Sequence, residues 1–269
     1  MLTFLSTPKP FTGPFGEKNL LAFRNAVGSW RRLESIPQIL MFGGDPEIIK
    51  AEGCKWLTGF PTSPENRPLF NSFVRIGEEL GEFDLMMYVT DHLILTQDFI
   101  PAVRRAFERF DQAVVTGRRW DVKIDKPIPF EHPDWRNIIR QHTLKEGGCG
   151  STGTKDYIIW KKPFPVKIPP FILGFPWYDT WMVVAAQRAG IPVVNASKAI
   201  FAIHADHTFP FQGGIKGREI TPGTAHNRKL AEGMEGLGLT TQMEWIMDHN
   251  KICRKGEPDC EPISEPIGE

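Results

Sequence analysis

Short apolar runs that alternate with helix-like segments constrain the fold of this chain more than any other feature. Runs of this length are typical of strands buried on both faces of a parallel or mixed sheet. The runs are LTFL near the start, QILMFG (38–43), FDLMMYV (83–89), QAVVTG (112–117), YIIW (157–160), IPVV (191–194) and AIFAIH (199–204). Helices are predicted between them at about 17–27, 45–52, 67–81, 99–110, 134–144 and 178–189. The alternation predicts an α/β sandwich built from βαβ units.

Polar residues that directly follow the apolar runs are the candidate site residues, because such folds bind ligands at the carboxyl ends of their strands. The stretch MYVTDHLIL (87–95) contains the pair Asp91 and His92 inside an apolar run. Burying this pair is costly unless it lies at the end of the strand and has a role there. Further candidates follow the other runs; they are Thr7, Lys9, Asp45, Arg118, Arg119 and the segment 204–207.

Charge and hydropathy exclude several classes of protein. The chain has 269 residues with 32 basic and 32 acidic side chains, so it carries no net charge that would favour nucleic acid or a membrane surface. No run approaches the roughly 20 apolar residues of a membrane span. The start is too short an apolar run for a signal peptide, and we expect a cytoplasmic protein. We expect one domain over 1–250 and a polar, flexible tail over 251–269.

The four cysteines contain no CxxC pair, which argues against a zinc knuckle. Their scatter predicts reduced thiols in a cytosolic protein. A bridge between Cys253 and Cys260 in an oxidising compartment is the alternative.

An ordered set of seven motifs resembles a known family. The motifs are STPKPF, ILMFGGDP, YVTDHLILTQDF, VVTGRRWD, GTKDYIIW, PPFILGFPWYDTW and AIFAIHADH. In this order they resemble the GT-A-fold nucleotide-diphospho-sugar glycosyltransferases, in a group of bacterial, viral and plant proteins, over about residues 3 to 245. The resemblance implies a Rossmann-like GT-A sandwich with a central mixed, mostly parallel sheet. It also implies metal-dependent transfer of a sugar from a UDP- or GDP-linked donor to a hydroxyl of a glycan or small acceptor.

The resemblance also implies a metal site. LTQDF fixes the register, so that Thr90, Asp91 and His92 fall on the family's metal-binding triplet and the preceding strand ends at Val89. The last residue of the triplet is here a histidine, and imidazole favours Mn²⁺ over Mg²⁺. We therefore expect His92, Asp91 and His207 to hold Mn²⁺ (or Mg²⁺). A strand-end histidine bonded to a neighbouring carbonyl is the alternative, and His204 is expected to hydrogen-bond nearby.

Two aspartates match catalytic positions of the family. Asp179 opens a predicted helix and is expected to accept the proton of the acceptor hydroxyl as general base. Asp156 follows a glycine-rich loop and is expected close to the donor sugar and the acceptor. A plain N-cap at Asp179 and a turn aspartate at Asp156 would give the same sequence pattern.

Other residues are expected to bind the donor. Thr7, Pro8 and Lys9 follow the first strand and are expected to hold the nucleotide, with Thr90 beside them. Asp45 is expected near the base or ribose, although it is equally a good helix N-cap before Pro46.

Arginines and a loop lysine are candidates for the diphosphate. Guanidinium groups bind phosphate oxygens in a bidentate manner. Adjacent residues of a strand cannot both face one ligand, so we assign Arg118 to the donor and expect the other arginine, Arg119, in an ion pair with Asp121. Lys216, in the glycine-rich segment FQGGIKGREI, is expected to close over the diphosphate, or else lies in a flexible surface loop.

Two rival functions remain open. A nucleotidyltransferase shares the α/β sandwich and the metal, but it needs a glycine-rich, basic loop after the first strand. STPKPFTGPFG offers glycines at 13 and 16 only and a single lysine. A non-catalytic relative that binds a glycan or a partner is supported by the missing carboxylate at position 92.

Overall fold

The computed structural model describes residues 1–205 and 221–260, and its elements follow the predicted alternation. The strands are β1 (Leu2–Ser6), β2 (Gln38–Phe42), β3 (Lys55–Leu57), β4 (Leu85–Val89), β5 (Leu93–Ile94), β6 (Val114–Thr116), β7 (Trp120–Val122), β8 (Gly148–Cys149), β9 (Tyr157–Lys161), β10 (Val193–Asn195), β11 (Ile203–Ala205), β12 (Trp245–Met247) and β13 (Ile252–Arg254). The helices are α1 (Gly16–Trp30), α2 (Pro46–Ala51), α3 (Phe70–Leu80), α4 (Phe99–Arg109), α5 (Trp135–Glu146), α6 (Tyr178–Arg188) and α7 (Pro222–Leu230), with a short 3₁₀ turn at Thr240–Gln242.

Within the described residues, nine strands form one large sheet in the order β13-β12-β10-β6-β9-β4-β1-β2-β3. All of them run in the same direction except β9 and β13. The expected α/β fold with a mixed, mostly parallel, Rossmann-like sheet is confirmed. The chain builds β2 and β3 on one side of β1 and then returns to place β4 on the other side.

Each face of the large sheet buries its own apolar core, because successive side chains of a strand point to opposite faces. Phe4 and Met87 pack with α1 and α4 on one face, while Leu5 and Tyr88 pack with α3 and α6 on the other. Burying each such side chain contributes about 1.5–3 kcal/mol. Because both faces are covered, the strands read as unbroken apolar runs in the sequence.

A second sheet lies outside the sequence prediction. Four further strands of the described chain pair in the order β5-β11-β7-β8. The run 199–204, expected to be one strand beside the others, contributes only β11, which pairs with β5 and β7. These strands have two or three residues each, too few for a periodic signal.

The predicted C-terminal tail begins too early. Its first residues form β13, which pairs with β12, and Cys253 is bonded to Cys260. The expectation that all four cysteines are thiols is therefore wrong for this pair, while Cys54 and Cys149 remain thiols. Residues 261–269 lie outside the described residues. In the part of the chain that the structure covers, every helix is too short or too polar to span a lipid bilayer.

Candidate active site

The candidate site lies where the loops after β1 and β4 separate. Neighbouring strands whose connections leave in opposite directions create a crevice at their carboxyl ends, where open α/β sheets bind ligands. Lys9 follows β1 and Asp91 follows β4, which ends at Val89 as expected. The backbone N–H of Lys9 donates to Asp91 Oδ2 at 2.8 Å, and Lys9 Nζ lies 3.2 Å from Asp91 Oδ1. This ion pair joins the two loops.

The reversed direction of β9 brings Asp156 to the same edge. Val89, the last residue of β4, is paired with Tyr157, the first residue of β9. Thr90 N–H donates to the Asp156 carbonyl at 2.9 Å. The Asp156 carboxylate forms a buried ion pair with Arg119. The loop that precedes β9 thus meets the loops that follow β4 and β6.

The small sheet adds His204. This residue lies on β11, with Leu93 opposite it on one side and Asp121 on the other. His204 Nδ1 lies 2.9 Å from Asp121 Oδ1, and Arg119 Nε donates to the same oxygen at 2.8 Å. The expected ion pair between Arg119 and Asp121 is confirmed. The rings of His92 and His204 meet edge to face, with 4.5 Å between their centroids.

These contacts bring three possible metal ligands together. His92, Asp156 and His204 each offer one ligand atom, and the three atoms lie within 4.8 Å of one another. All three residues are buried, at 5%, 6% and 6% exposure respectively. Two imidazoles and one carboxylate suit Mn²⁺, Fe²⁺ or Zn²⁺ better than Mg²⁺, which prefers oxygen ligands. The donor set therefore fits a divalent transition-metal ion, provided that Asp156 is shared with Arg119.

Asp91 lies beside this group and is engaged elsewhere. Its Oδ1 is 2.8 Å from His92 Nδ1. The carboxylate also accepts two hydrogen bonds from Lys9, one through Oδ2 from the backbone N–H and one through Oδ1 from Nζ. Lys9 Nζ is itself 2.5 Å from His92 Nδ1. A carboxylate in this position fixes the ring orientation and tautomer of a ligating histidine. The geometry thus gives Asp91 an orienting contact where the sequence predicts direct ligation.

Burial dominates the protonation of the site. It lowers the pKa of His92 well below its usual value, and the positive charge of Lys9 and the nearby His204 and Arg119 lower this pKa further. Burial also lowers the pKa of Lys9, although Asp91 partly offsets the effect. Burial would raise the pKa of Asp121, but the hydrogen bond from His204 and the charge of Arg119 leave it below its usual value. His92 is therefore neutral near pH 7, which is the form that binds metals.

The remaining donor candidates are spread along the same edge. Thr7 and Pro8 follow β1. Thr90 is half-buried, and its Oγ1 is enclosed without a hydrogen-bond partner among the described residues. Asp45 is exposed and accepts from Glu47 N–H at 2.9 Å, so its observed contact is the N-cap of α2.

Asp179 lies half-buried in the first turn of α6. Its charge raises the pKa of Tyr88 as a minor contribution, after burial and Tyr178, and opposes the lowering of the Lys155 pKa by burial. Its neighbour Tyr178 shares a hydrogen bond of 2.6 Å with the Tyr88 hydroxyl, which places the start of α6 beside the end of β4. His207 and Lys216 lie outside the described residues.

Two features of the site are missing from the sequence prediction. The sequence assigns His204 only a hydrogen bond, and the structure places it with His92 and Asp156. The parallel pairing of β11 with β7 brings it there, while the predicted ligand His207 lies outside the described residues and stays a prediction. The second feature is Lys155, which directly precedes Asp156 and is 2% exposed.

Comparisons with known proteins find a likeness in structure alone, and only at low identity. No family model and no curated protein matches the sequence. A CMP:2-keto-3-deoxy-manno-octonic acid synthetase complexed with CTP shows a TM-score of 0.38 and 11% identity, over 76% of this chain and 88% of that chain. The bifunctional IspDF from Campylobacter jejuni shows a TM-score of 0.40 and 12% identity over 74% of this chain, which spans 50% of that one.

At these TM-scores the likeness carries no argument about activity. The resemblance to GT-A glycosyltransferases stays a prediction.

Proposed function

We propose that this protein is a metal-dependent transferase that uses a nucleotide-diphosphate donor, and that it transfers a sugar from that donor to a hydroxyl group. One observation carries the proposal. The possible metal ligands His92, Asp156 and His204 lie together with the cations Lys9 and Arg119. These residues come from the loops after β1, β4 and β6, from the loop before β9 and from β11. The group lies at the carboxyl ends of β1 and β4, where the connections leave in opposite directions; this place is the switch point of the sheet.

The charges of the group suit a diphosphate leaving group. Apart from the histidines, Lys9 and Arg119 contribute two positive charges, and Asp91, Asp121 and Asp156 contribute three negative charges. A bound divalent ion would neutralise charge that develops on the diphosphate oxygens. With that ion the group becomes positive overall and attracts the donor. Thr7, Pro8 and Thr90 flank this position and would hold the nucleotide.

Asp179 is the proposed general base. It is half-buried at the N-terminal turn of α6, near the end of β4, where it can face an acceptor that lies over the donor sugar. A base must come within about 2.6–3.2 Å of the hydroxyl that it deprotonates. The charge of Asp179 acts on the buried Lys155, where it opposes the lowering of the Lys155 pKa by burial.

Nucleotidyl transfer is the second candidate, because two cations beside a metal site also suit a pyrophosphate leaving group. The loop after β1 argues against it. This loop contains one lysine among three prolines between residues 7 and 15, and that lysine is already bonded to Asp91. The non-catalytic alternative relies on the missing carboxylate at position 92. Asp156 supplies a carboxylate from another loop.

Calorimetry with Mn²⁺ and UDP or GDP tests the shared part of the proposal. We expect nucleotide binding that requires Mn²⁺ and is lost in His92→Ala. His142→Ala is the matched control, since His142 is an exposed histidine bonded to the Lys123 carbonyl. Absence of metal-dependent nucleotide binding in the unaltered protein would overturn both transferase assignments.

Product analysis separates the two candidates. Release of a nucleoside diphosphate from a sugar nucleotide supports glycosyl transfer, whereas release of pyrophosphate from a nucleoside triphosphate and a sugar phosphate supports nucleotidyl transfer. Asp179→Asn should bind the donor with Mn²⁺ as tightly as the unaltered protein but turn over at least about 100-fold more slowly, the usual contribution of a general base. Unchanged turnover would remove Asp179 from the proposed role.

A further inference from the structure

Arg118 is a buried arginine that lacks a carboxylate partner among the described residues. It follows β6 and is 7% exposed. Its Nε donates to the Gly150 carbonyl at 2.8 Å. Its Nη1 is enclosed and has no hydrogen-bond partner within residues 1–205 and 221–260. Since a guanidinium group stays charged at every accessible pH, this charge is buried without compensation from that part of the chain.

The neighbouring arginine shows the contrast. Arg119 contacts the carboxylates of both Asp121 and Asp156. Arg118 points elsewhere, and its side chain donates to the Gly150 carbonyl. A buried charge without a counter-charge is strongly destabilising, so its presence indicates that an anion completes the site.

The same loop carries a second buried cation. Lys155 Nζ donates to the Gly153 carbonyl at 2.8 Å, and the charge of Asp179 partly offsets the burial of this lysine, whereas Arg118 has no such carboxylate among the described residues. The segment 150–155 therefore has Arg118 bonded near its start and Lys155 near its end.

Further polar groups fix the backbone beside Arg118. Its N–H donates to Ser197 Oγ at 2.8 Å, and Ser197 Oγ donates to Asn195 Oδ1 at 2.5 Å. Asn195 Nδ2 in turn donates to the Thr240 carbonyl at 2.8 Å. The Thr240 hydroxyl is buried and has no hydrogen-bond partner among the described residues. Thr240 N–H also donates to the carbonyl of Thr152, which lies in the glycine-rich loop. The surroundings of Arg118 are thus rigid and polar.

We propose that Arg118, bonded to the glycine-rich loop, forms an anion subsite that is distinct from the metal ligands and binds a phosphate or carboxylate group of the acceptor. The acceptor assignment rests on the proposed transferase function. Arg119, the next residue along the chain, contacts Asp156 of the candidate metal group, whereas the Arg118 side chain is bonded to the Gly150 carbonyl. The subsite therefore borders the metal ligands without using any of them. The acceptor would then be an anionic molecule, and Arg118 would select it.

Thermal unfolding with inorganic phosphate, in EDTA and without nucleotide, tests the subsite independently of transferase activity. Phosphate at about ten times its dissociation constant should raise the Tm of the unaltered protein by about 3 °C. Arg118→Met should lose this rise. Arg105→Met should keep it, because Arg105 likewise donates to backbone carbonyls but lies far away, at residues 248 and 249. Acetate in place of phosphate distinguishes a carboxylate site from a phosphate site, and stabilisation by either anion supports the proposal.

Stability without the anion gives a second readout. In phosphate-free buffer, Arg118→Met should be at least as stable as the unaltered protein, because it removes an uncompensated buried charge. A lower Tm for Arg118→Met than for Arg105→Met in that buffer, or no response of the unaltered protein to either anion, would overturn the proposal. Should Arg118→Met fail to fold, calorimetric titration of the unaltered protein with phosphate decides the matter, because absence of binding refutes the subsite. His92→Ala should keep the phosphate response, so failure of the metal site is distinguishable from failure of the anion subsite.

Discussion

Replacing Asp91 with asparagine separates an orienting carboxylate from a metal ligand. The Asp91→Asn change keeps the size of the side chain and an oxygen for the Lys9 N–H, but it removes the charge that pairs with Lys9 Nζ at 3.2 Å. Breaking a buried pair costs about 3–5 kcal/mol. Because the Lys9 side chain is 23% exposed and water compensates it in part, we expect a loss of about 2 kcal/mol. In a chain of this size that loss lowers Tm by about 4–8 °C.

The same change should weaken metal binding to an intermediate degree. His92 Nδ1 lies 2.8 Å from Asp91 Oδ1, so the asparagine orients the ring less firmly and makes it a weaker ligand. Removing a partner of this kind typically reduces metal affinity by about 10–100-fold. Calorimetric titration with Mn²⁺ measures the affinity, and urea denaturation of the metal-free protein measures the stability.

Asp45→Asn is the matched control, because Asp45 also follows a parallel strand but caps α2. Asparagine caps helices about as well as aspartate, so stability and Mn²⁺ affinity should both stay close to those of the unaltered protein. Two results would refute the reasoning for Asp91. A loss of Mn²⁺ binding as complete as in His92→Ala would make Asp91 a ligand, and an unchanged affinity would deny the orienting contact.

Three further predictions follow from burial and close packing. Because the pKa of His92 is well below its unfolded value of about 6.5, the unfolded chain binds the proton first. The free energy of unfolding of the metal-free protein, measured by urea denaturation at several pH values, should therefore decrease as the pH falls below that value. The decrease per pH unit should be smaller for His92→Gln, and an equal decrease would contradict this. Burial raises the pKa of Cys54 to about 12, so iodoacetamide at pH 8 should modify the half-buried Cys149 and spare Cys54, as read by mass spectrometry. Gly117→Ala would place a Cβ 2.4 Å from the Tyr157 hydroxyl, and urea denaturation should show a loss of about 1–3 kcal/mol; a loss near zero would contradict the packing.

The sequence predicts the order of the elements well, because the apolar periods that define them are local. Every helix expected before residue 190 is present, and β4 ends at Val89, which places Asp91 and His92 at the carboxyl edge. The direction of β9 could not be predicted, since a buried apolar run reads the same in either direction. The four-stranded sheet could not be predicted either, because its strands are too short to show a period.

The candidate site is predictable in its residue types more than in their roles. Lys9, Asp91 and His92 are expected at the edge because they follow apolar runs, whereas Asp156 is expected there only from the resemblance to the family. Their division into orienting and ligating groups depends on side-chain direction, which the sequence pattern does not contain. The place of His204 beside His92 has the same origin, since β-sheet register decides which residue of β11 lies opposite Leu93.

The pairing of His204 within the small sheet makes the candidate metal site depend on the register of β11. His204 is paired with Leu93 and Asp121 at once, so its neighbours on both sides fix its position along the strand. A slip of one residue would turn His204 away and present Ile203 or Ala205, both without ligand atoms, to His92. Because the pairing on both sides holds β11 in register, a change of length between β10 and β11 that keeps the site has to be absorbed by residues 196–202. We expect homologues that use the site to keep the register of β11 even where that connection differs in length.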